Sequence, residues 1–143
     1  MSVVPTIATS TGPVLVVGSG LLGASIGLGL RHLGVDVQVR DSSPTTEAVA
    51  QDIGAGRSVR AARAAHEEVP EPALVVVAAP PDVVAELVVE ALAEHTDAVV
   101  LDIASVKGPI LDAVRAAGAD LTRYVGTHPM AGREKSGPVA ARG

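Results

Sequence analysis

The chain has 143 residues, a net charge of −5 at pH 7 and 48% hydrophobic residues. A chain of this length can bury one core of ordinary size, and its acidic balance argues against a nucleic-acid groove or an anionic membrane surface as partner. Because the sequence has no cysteine, disulfides, thiolate metal ligands and a cysteine nucleophile are excluded. The four histidines are not spaced with acids as metal ligands usually are, so we expect no metal site.

The first residues of the chain are small and mostly polar. Residues 1–12 contain neither a basic segment followed by an apolar core nor a long apolar run, so we expect no signal peptide. No later run approaches the length of a membrane span. We therefore predict a flexible tail over 1–12 and a soluble, cytoplasmic protein.

Strand and helix patterns alternate along the rest of the chain. In order, the predicted elements are a strand at Val14–Val17, a helix at Leu21–Leu33, a strand at Val35–Val39, a helix at Thr45–Ile53, a helical piece at Val59–Glu68, a strand at Ala73–Ala79, a helix ending near Glu94, a strand at Asp97–Ile103, a helix from Pro109 to Ala117 and a strand at Leu121–Val125. Apolar runs without alternation, such as Ala73–Ala79, are typical of parallel strands covered on both faces. The pattern predicts one α/β domain over 13–143, with a doubly wound (Rossmann) parallel sheet.

A glycine-rich turn joins the first strand to the first helix. Residues Gly18–Gly23 read Gly-Ser-Gly-Leu-Leu-Gly, a complete G-x-G-x-x-G motif. Gly18 would allow a tight turn, Gly20 would let a pyrophosphate approach the backbone, and Gly23 would let helix and strand pack closely. In this context the motif predicts dinucleotide binding by Gly18, Ser19, Gly20, Leu21, Leu22 and Gly23, with the phosphates at the start of the helix.

An acid follows the second predicted strand. Asp41 stands roughly twenty residues after Gly18, where a carboxylate can accept the ribose hydroxyls of NAD and repel a 2′-phosphate. Two alternatives remain open. Asp41 could simply cap the next helix, or Arg40, Ser42 and Ser43 could hold the 2′-phosphate of NADP.

Ligands of such sheets lie beyond the carboxyl ends of the strands. We therefore expect the residues after each strand to converge on one crevice, namely Gly18–Gly23, Asp41, Ala79 and Pro80, Ser105, and Gly126–His128. Ala79, Pro80 and Ser105 are accordingly predicted to contact the cofactor. His128 can take a proton near neutral pH, which casts it as the base beside a nicotinamide. Ser105 could instead be the cap of the helix that follows it.

Two further motifs follow the last strands, LDIASVKGPI at Leu101–Ile110 and GTHPMAGREKSGP at Gly126–Pro138. Together with Val16–Leu30, Arg40–Pro44 and Val75–Pro81, they resemble the nucleotide-binding domain of prephenate dehydrogenases. Asp-x-x-Ser-Val-Lys and Thr-His-Pro-Met-Ala-Gly are more specific than a general dinucleotide-binding pattern. The resemblance covers most of 13–143.

The resemblance implies NAD-dependent oxidative decarboxylation of prephenate in tyrosine biosynthesis, or of arogenate, its amino analogue. In the family, the histidine that matches His128 binds the ring hydroxyl and acts as catalytic base, and the serine that matches Ser105 helps to orient it. The segment that matches Arg133–Ser136 borders the substrate. Arg133 is therefore predicted to meet a substrate carboxylate, and Glu134 to join a gating ion pair.

The resemblance also implies a longer, dimeric enzyme. Similar proteins continue into an all-helical domain that forms a homodimer and supplies an arginine for the substrate carboxylate, whereas this sequence stops at Gly143. We therefore expect the chain to bind cofactor and to turn over little substrate alone. Alternatives are another hydroxyacid- or imine-type reductase with the same nucleotide domain, and an NAD(P)-binding module without catalysis.

Overall fold

A six-stranded, wholly parallel sheet forms the centre of the computed structural model, which describes residues 12–128, Pro138 and Ala141. Its strands are β1 (Val14–Val17), β2 (Val37–Arg40), β3 (Arg57–Ser58), β4 (Leu74–Val77), β5 (Val99–Asp102) and β6 (Tyr124–Gly126). Their order across the sheet is β3-β2-β1-β4-β5-β6. The chain therefore starts in the middle and winds outward in both directions, which confirms the doubly wound sheet predicted from the sequence.

Five helices connect the strands. They are α1 (Leu21–His32), α2 (Pro44–Asp52), α3 (Val59–Ala64), α4 (Val84–Glu94) and α5 (Gly108–Ala116). Among the described residues, no helix is long and apolar enough to cross a bilayer.

The core lies in two layers because alternate strand residues face opposite sides of the sheet. Leu15 and Val17 of β1 pack in one layer with α4 and α5, whereas Val14 and Val16 pack in the other with α1 and α2. Helices thus cover both faces, which explains the uninterrupted apolar runs of the central strands.

Helix α1 packs through its smallest residues. Its buried positions are Gly23, Ala24 and Gly27. A Cβ on Gly27 would lie 2.3 Å from the carbonyl oxygen of Ala55, so no side chain fits there. The glycines that lower helix propensity therefore allow a close approach between α1 and the segment before β3.

Most predicted elements differ from the structure only by one or two residues at their ends, and larger departures occur at three places. Strand β3 was not predicted, and α3 ends at Ala64 instead of Glu68. The strand predicted at Leu121–Val125 begins instead as a 3-10 turn at Leu121–Arg123, because the Asp120 carboxylate accepts the N–H of Thr122. The predicted tail lies outside the described residues except for Gly12.

Candidate functional site

A cleft of about 930 Å³ lies at the carboxyl ends of β1, β2 and β4. Most of the predicted cofactor residues line it, namely Gly18, Gly20, Leu21, Leu22, Asp41, Ala79 and Pro80. Ser19 and Gly23, which belong to the same glycine turn, are buried. The cleft therefore occupies the position where a doubly wound sheet places its ligands.

The three glycines of the turn meet different steric demands. Gly18 has φ +91°, and a Cβ there would lie 2.7 Å from the carbonyl oxygen of Ala78. A Cβ on Gly23 would lie 1.8 Å from the carbonyl oxygen of Gly18. At Gly20, by contrast, a Cβ would meet no atom within 4 Å. Gly18 and Gly23 are thus required by the fold, whereas the space beside Gly20 is open to a ligand.

The first turn of α1 borders this open space. Its N-cap is Gly20, which offers no side chain, and no acidic residue lies in the turn. The N–H groups that begin a helix need acceptors from outside it and attract anions. This arrangement fits the pyrophosphate of a dinucleotide.

Asp41 fixes the glycine turn from the neighbouring strand. Its Oδ2 accepts hydrogen bonds from the N–H of Ser19 (2.8 Å) and from the Ser19 hydroxyl (3.2 Å). Its Oδ1 accepts the N–H of Ser43 (2.8 Å). A carboxylate has about four acceptor positions, so capacity for a ribose hydroxyl remains.

The alternative that Asp41 caps the next helix is wrong. The N-cap of α2 is Ser43, whose hydroxyl accepts the N–H of Thr46 at 3.2 Å. Arg40, the other cofactor candidate at this point, donates from Nη1 to both carboxylate oxygens of Glu94 in α4, at 3.2 and 3.1 Å.

Sequence reasoning missed a buried acid in this region. Glu47, only 1% exposed, accepts the N–H of Asp41 (3.0 Å) and the N–H of Arg60 (2.8 Å), as well as the hydroxyl of Ser58 (2.6 Å). A signal was available, since Glu47 shares the inner face of α2 with Ala50 three residues on. Its partners, however, come from distant parts of the chain.

A smaller pocket of about 210 Å³ adjoins the cleft and contains both candidate catalytic residues. Ser105 and His128 line it, and it shares Leu22, Ala78 and Ala79 with the cleft. The alternative that Ser105 caps α5 is wrong, because that helix has Lys107 at its N-cap and no side-chain cap. Ser105 and His128 line this smaller pocket and are not among the residues that line the main cleft.

Asp102, fully buried at the end of β5, organises the loop that carries Ser105. Its Oδ1 accepts the N–H of Ala104 (2.9 Å) and pairs with the ammonium of Lys107, and its Oδ2 accepts the hydroxyl of Tyr124. Burial, together with the hydrogen bond to Asp102, raises the pKa of Tyr124 well above its ordinary value.

The same residue holds the segment before His128. The carbonyl oxygen of Asp102 accepts both the N–H (2.9 Å) and the hydroxyl (2.6 Å) of Thr127. Asp102 therefore binds the residue that precedes Ser105 and the residue that precedes His128. Arg133 and Glu134 lie outside the described residues.

A doubly wound parallel sheet with a glycine-rich turn and an acid after β2 defines a dinucleotide-binding domain of the dehydrogenase type. Comparison with known families is more specific. The family model for "Prephenate dehydrogenase, nucleotide-binding domain" matches residues 26–143, so the chain belongs to this family. The match begins at residue 26, after the glycine turn. The turn is therefore known from the structure and not from the family model.

A related protein extends the comparison to the glycine turn. "Probable prephenate dehydrogenase NovF" from Streptomyces niveus is 41% identical over 130 residues, covering 90% of this chain and 34% of the relative. The chain thus spans about a third of that protein.

Solved structures agree on the fold. Prephenate dehydrogenase from A. aeolicus, in complex with hydroxyphenyl propionate and NAD⁺, is 29% identical with a TM-score of 0.75, covering 92% of this chain and 46% of that one. Synechocystis arogenate dehydrogenase has the same TM-score at 23% identity, covering 91% of this chain and 45% of that one, and shows the fold alone.

Proposed function

We propose that this chain is the NAD-binding part of an enzyme that oxidatively decarboxylates prephenate to 4-hydroxyphenylpyruvate in tyrosine biosynthesis. Arogenate is the alternative substrate. The observation that carries the proposal is the shared pocket of Ser105 and His128, which adjoins the glycine-lined cleft. The A. aeolicus relative, solved with NAD⁺ and hydroxyphenyl propionate, supports the same pairing of cofactor and ring compound.

The cofactor half of the proposal rests on the cleft. The open space at Gly20 and the uncapped start of α1 fit a pyrophosphate, and Asp41 has an acceptor position left for a ribose hydroxyl. Ala79 and Pro80 also line the cleft. When bound, NAD supplies the acceptor for a hydride from the substrate.

His128 is the proposed base for the substrate's ring hydroxyl. As hydride leaves the carbon that bears the hydroxyl, the hydroxyl proton moves toward the imidazole of His128. The bond to the ring carboxylate then breaks, its electron pair enters the ring, and carbon dioxide leaves. The proton returns to the phenol oxygen of the aromatic product, so the imidazole is regenerated.

Ser105 and Arg133 have supporting roles in this proposal. Ser105 lines the same pocket as His128, and we assign it the role of orienting the imidazole. Arg133 would meet a substrate carboxylate. We further propose that the domain of residues 13–143 works in the cytoplasm within a homodimer formed by an all-helical domain, with small molecules as its ligands.

Replacing His128 by Asn separates chemistry from cofactor binding. In the whole protein, assayed with prephenate and with arogenate by the absorbance of the reduced cofactor, we expect kcat to fall by about a hundredfold or more, since a general base contributes that much. The NAD⁺ affinity of the 143-residue chain should change by less than about twofold, because His128 lies outside the cleft that holds the cofactor's phosphates and ribose.

The matched control is His32→Asn, at the exposed end of α1. This substitution should alter neither kcat nor the NAD⁺ affinity. Full activity of the His128→Asn enzyme would refute the assignment of the base, and NAD⁺ binding without any dehydrogenase activity in the unmodified whole protein would favour a non-catalytic module.

A further inference from the structure

Arg60, in the first turn of α3, lines the cleft beside Asp41. Its Nη2 donates to the carbonyl oxygen of Asp41 at 3.2 Å, and its Nε lies 3.8 Å from Oε2 of Glu47. The side chain is 53% exposed. A permanent positive charge therefore lies next to the acid proposed to bind the adenosine ribose.

One buried carboxylate fixes the main chain of both residues. Oε2 of Glu47 accepts the N–H of Asp41, and Oε1 accepts the N–H of Arg60. Asp41 follows β2 and Arg60 follows β3, and these two strands pair in parallel, so the sheet brings the two residues together and Glu47 bonds to both. The acid and the cation are thus held ready before any ligand arrives, which lowers the cost of binding.

The cation first considered for a 2′-phosphate is already engaged. Arg40 donates to both oxygens of Glu94, and the hydroxyl of Ser43 accepts the N–H of Thr46. Arg40 also lines the cleft, whereas Ser43 does not; Ser42 and Thr46 line it together with Arg60. A guanidinium and two hydroxyl groups therefore surround the end of β2, and these are the groups that recognise phosphate.

We propose that Arg60, together with Ser42 and Thr46, receives the 2′-phosphate of NADP, so that the cleft accepts NADP as well as NAD. This inference rests on the proposed cofactor function. Asp41 does not prevent it, because its carboxylate already accepts three hydrogen bonds from Ser19 and Ser43, and the Arg60 guanidinium, which donates to the main-chain carbonyl of Asp41, adds a positive charge to this part of the cleft. Arg60 is then the residue that sets cofactor preference.

The test compares matched ligands and matched variants of the 143-residue chain by calorimetry. NAD⁺ with NADP⁺, and 5′-AMP with adenosine 2′,5′-bisphosphate, differ only in the 2′-phosphate. Arg60→Ala should weaken NADP⁺ and the bisphosphate by about tenfold or more, and NAD⁺ and 5′-AMP by less than about threefold, because a charge-assisted hydrogen bond is lost only with the phosphorylated ligands.

Arg63→Ala is the control, since Arg63 lies one turn further along α3, carries the same charge and is similarly exposed at 62%. Arg63→Ala should change the ratio of the NADP⁺ and NAD⁺ affinities by less than about twofold, because only general electrostatics act there. Arg60→Lys should retain part of the NADP⁺ affinity. Circular dichroism melts confirm that each variant is folded.

The outcomes are distinguishable. The inference is overturned if Arg60→Ala weakens the binding of the phosphorylated and the unphosphorylated ligand of each pair equally. It is also overturned if Arg63→Ala shifts the preference for the phosphorylated ligand as much as Arg60→Ala does. Binding of NAD⁺ with no measurable NADP⁺ binding also overturns it and leaves the proposed function intact. A folded chain that binds neither cofactor overturns the proposed function itself, and the inference with it.

Discussion

Replacing Asp41 by alanine tests whether this carboxylate supports the glycine turn as well as the ligand. The change removes the acceptor for the N–H and the hydroxyl of Ser19, a residue that is fully buried. A buried donor left unpaired costs about 1–3 kcal/mol. The N–H of Ser43 also loses its acceptor but lies at a half-buried position, where water can replace it. For a domain of this size, the expected loss corresponds to a fall in Tm of about 4–12 °C.

Thermal unfolding followed by circular dichroism, with and without NAD⁺, measures both effects of Asp41→Ala. NAD⁺ affinity should fall by about tenfold or more, because the ribose loses a charged acceptor. The control is Asp36→Ala, an exposed acid just before β2, which should leave Tm and affinity within error. An Asp41→Ala chain with an unchanged Tm would refute the reasoning about Ser19, whatever its affinity.

Two measurements test the cluster around Asp102. Lys107→Met removes the cation paired with this buried carboxylate. We expect the free energy of unfolding, measured by denaturant titration, to fall by about 2–3 kcal/mol. A fall of less than about 0.5 kcal/mol would contradict a stabilising pair. Tyr124 is the only aromatic residue in the sequence, so ultraviolet absorbance follows its ionisation alone. Because its pKa is raised, the folded chain should titrate above the ordinary value of about 10, and its stability should fall as the pH rises beyond that value. A midpoint at or below 10 in a folded chain would contradict the bond to Asp102.

Much of the fold could be predicted from local patterns. The apolar runs of β1, β4 and β5 identify buried parallel strands, and the glycine turn after β1 fixes where the ligand cleft begins. The rule that strand ends converge predicted a single crevice, and the structure places Ser105 and His128 in a smaller pocket that adjoins the cleft.

The parts that could not be predicted depend on contacts between distant segments. Strand β3 has only two residues, and it is a strand because Gln38 and Val39 of β2 pair with Arg57 and Ser58. No hydrophobic period can mark so short an element. Glu47 is similar, because a charged residue inside the protein is explained only by its remote partners.

Calorimetric titration of the 143-residue chain with NAD⁺, beside the variant Gly20→Val, tests the central claim most directly. A Cβ at Gly20 meets no protein atom within 4 Å and φ is −69°, so the fold should tolerate valine with a fall in Tm of no more than about 4 °C. The account predicts saturable binding at one site, abolished when the side chain fills the space of the pyrophosphate. A folded chain that does not bind NAD⁺, or binding that Gly20→Val leaves unchanged, would contradict it.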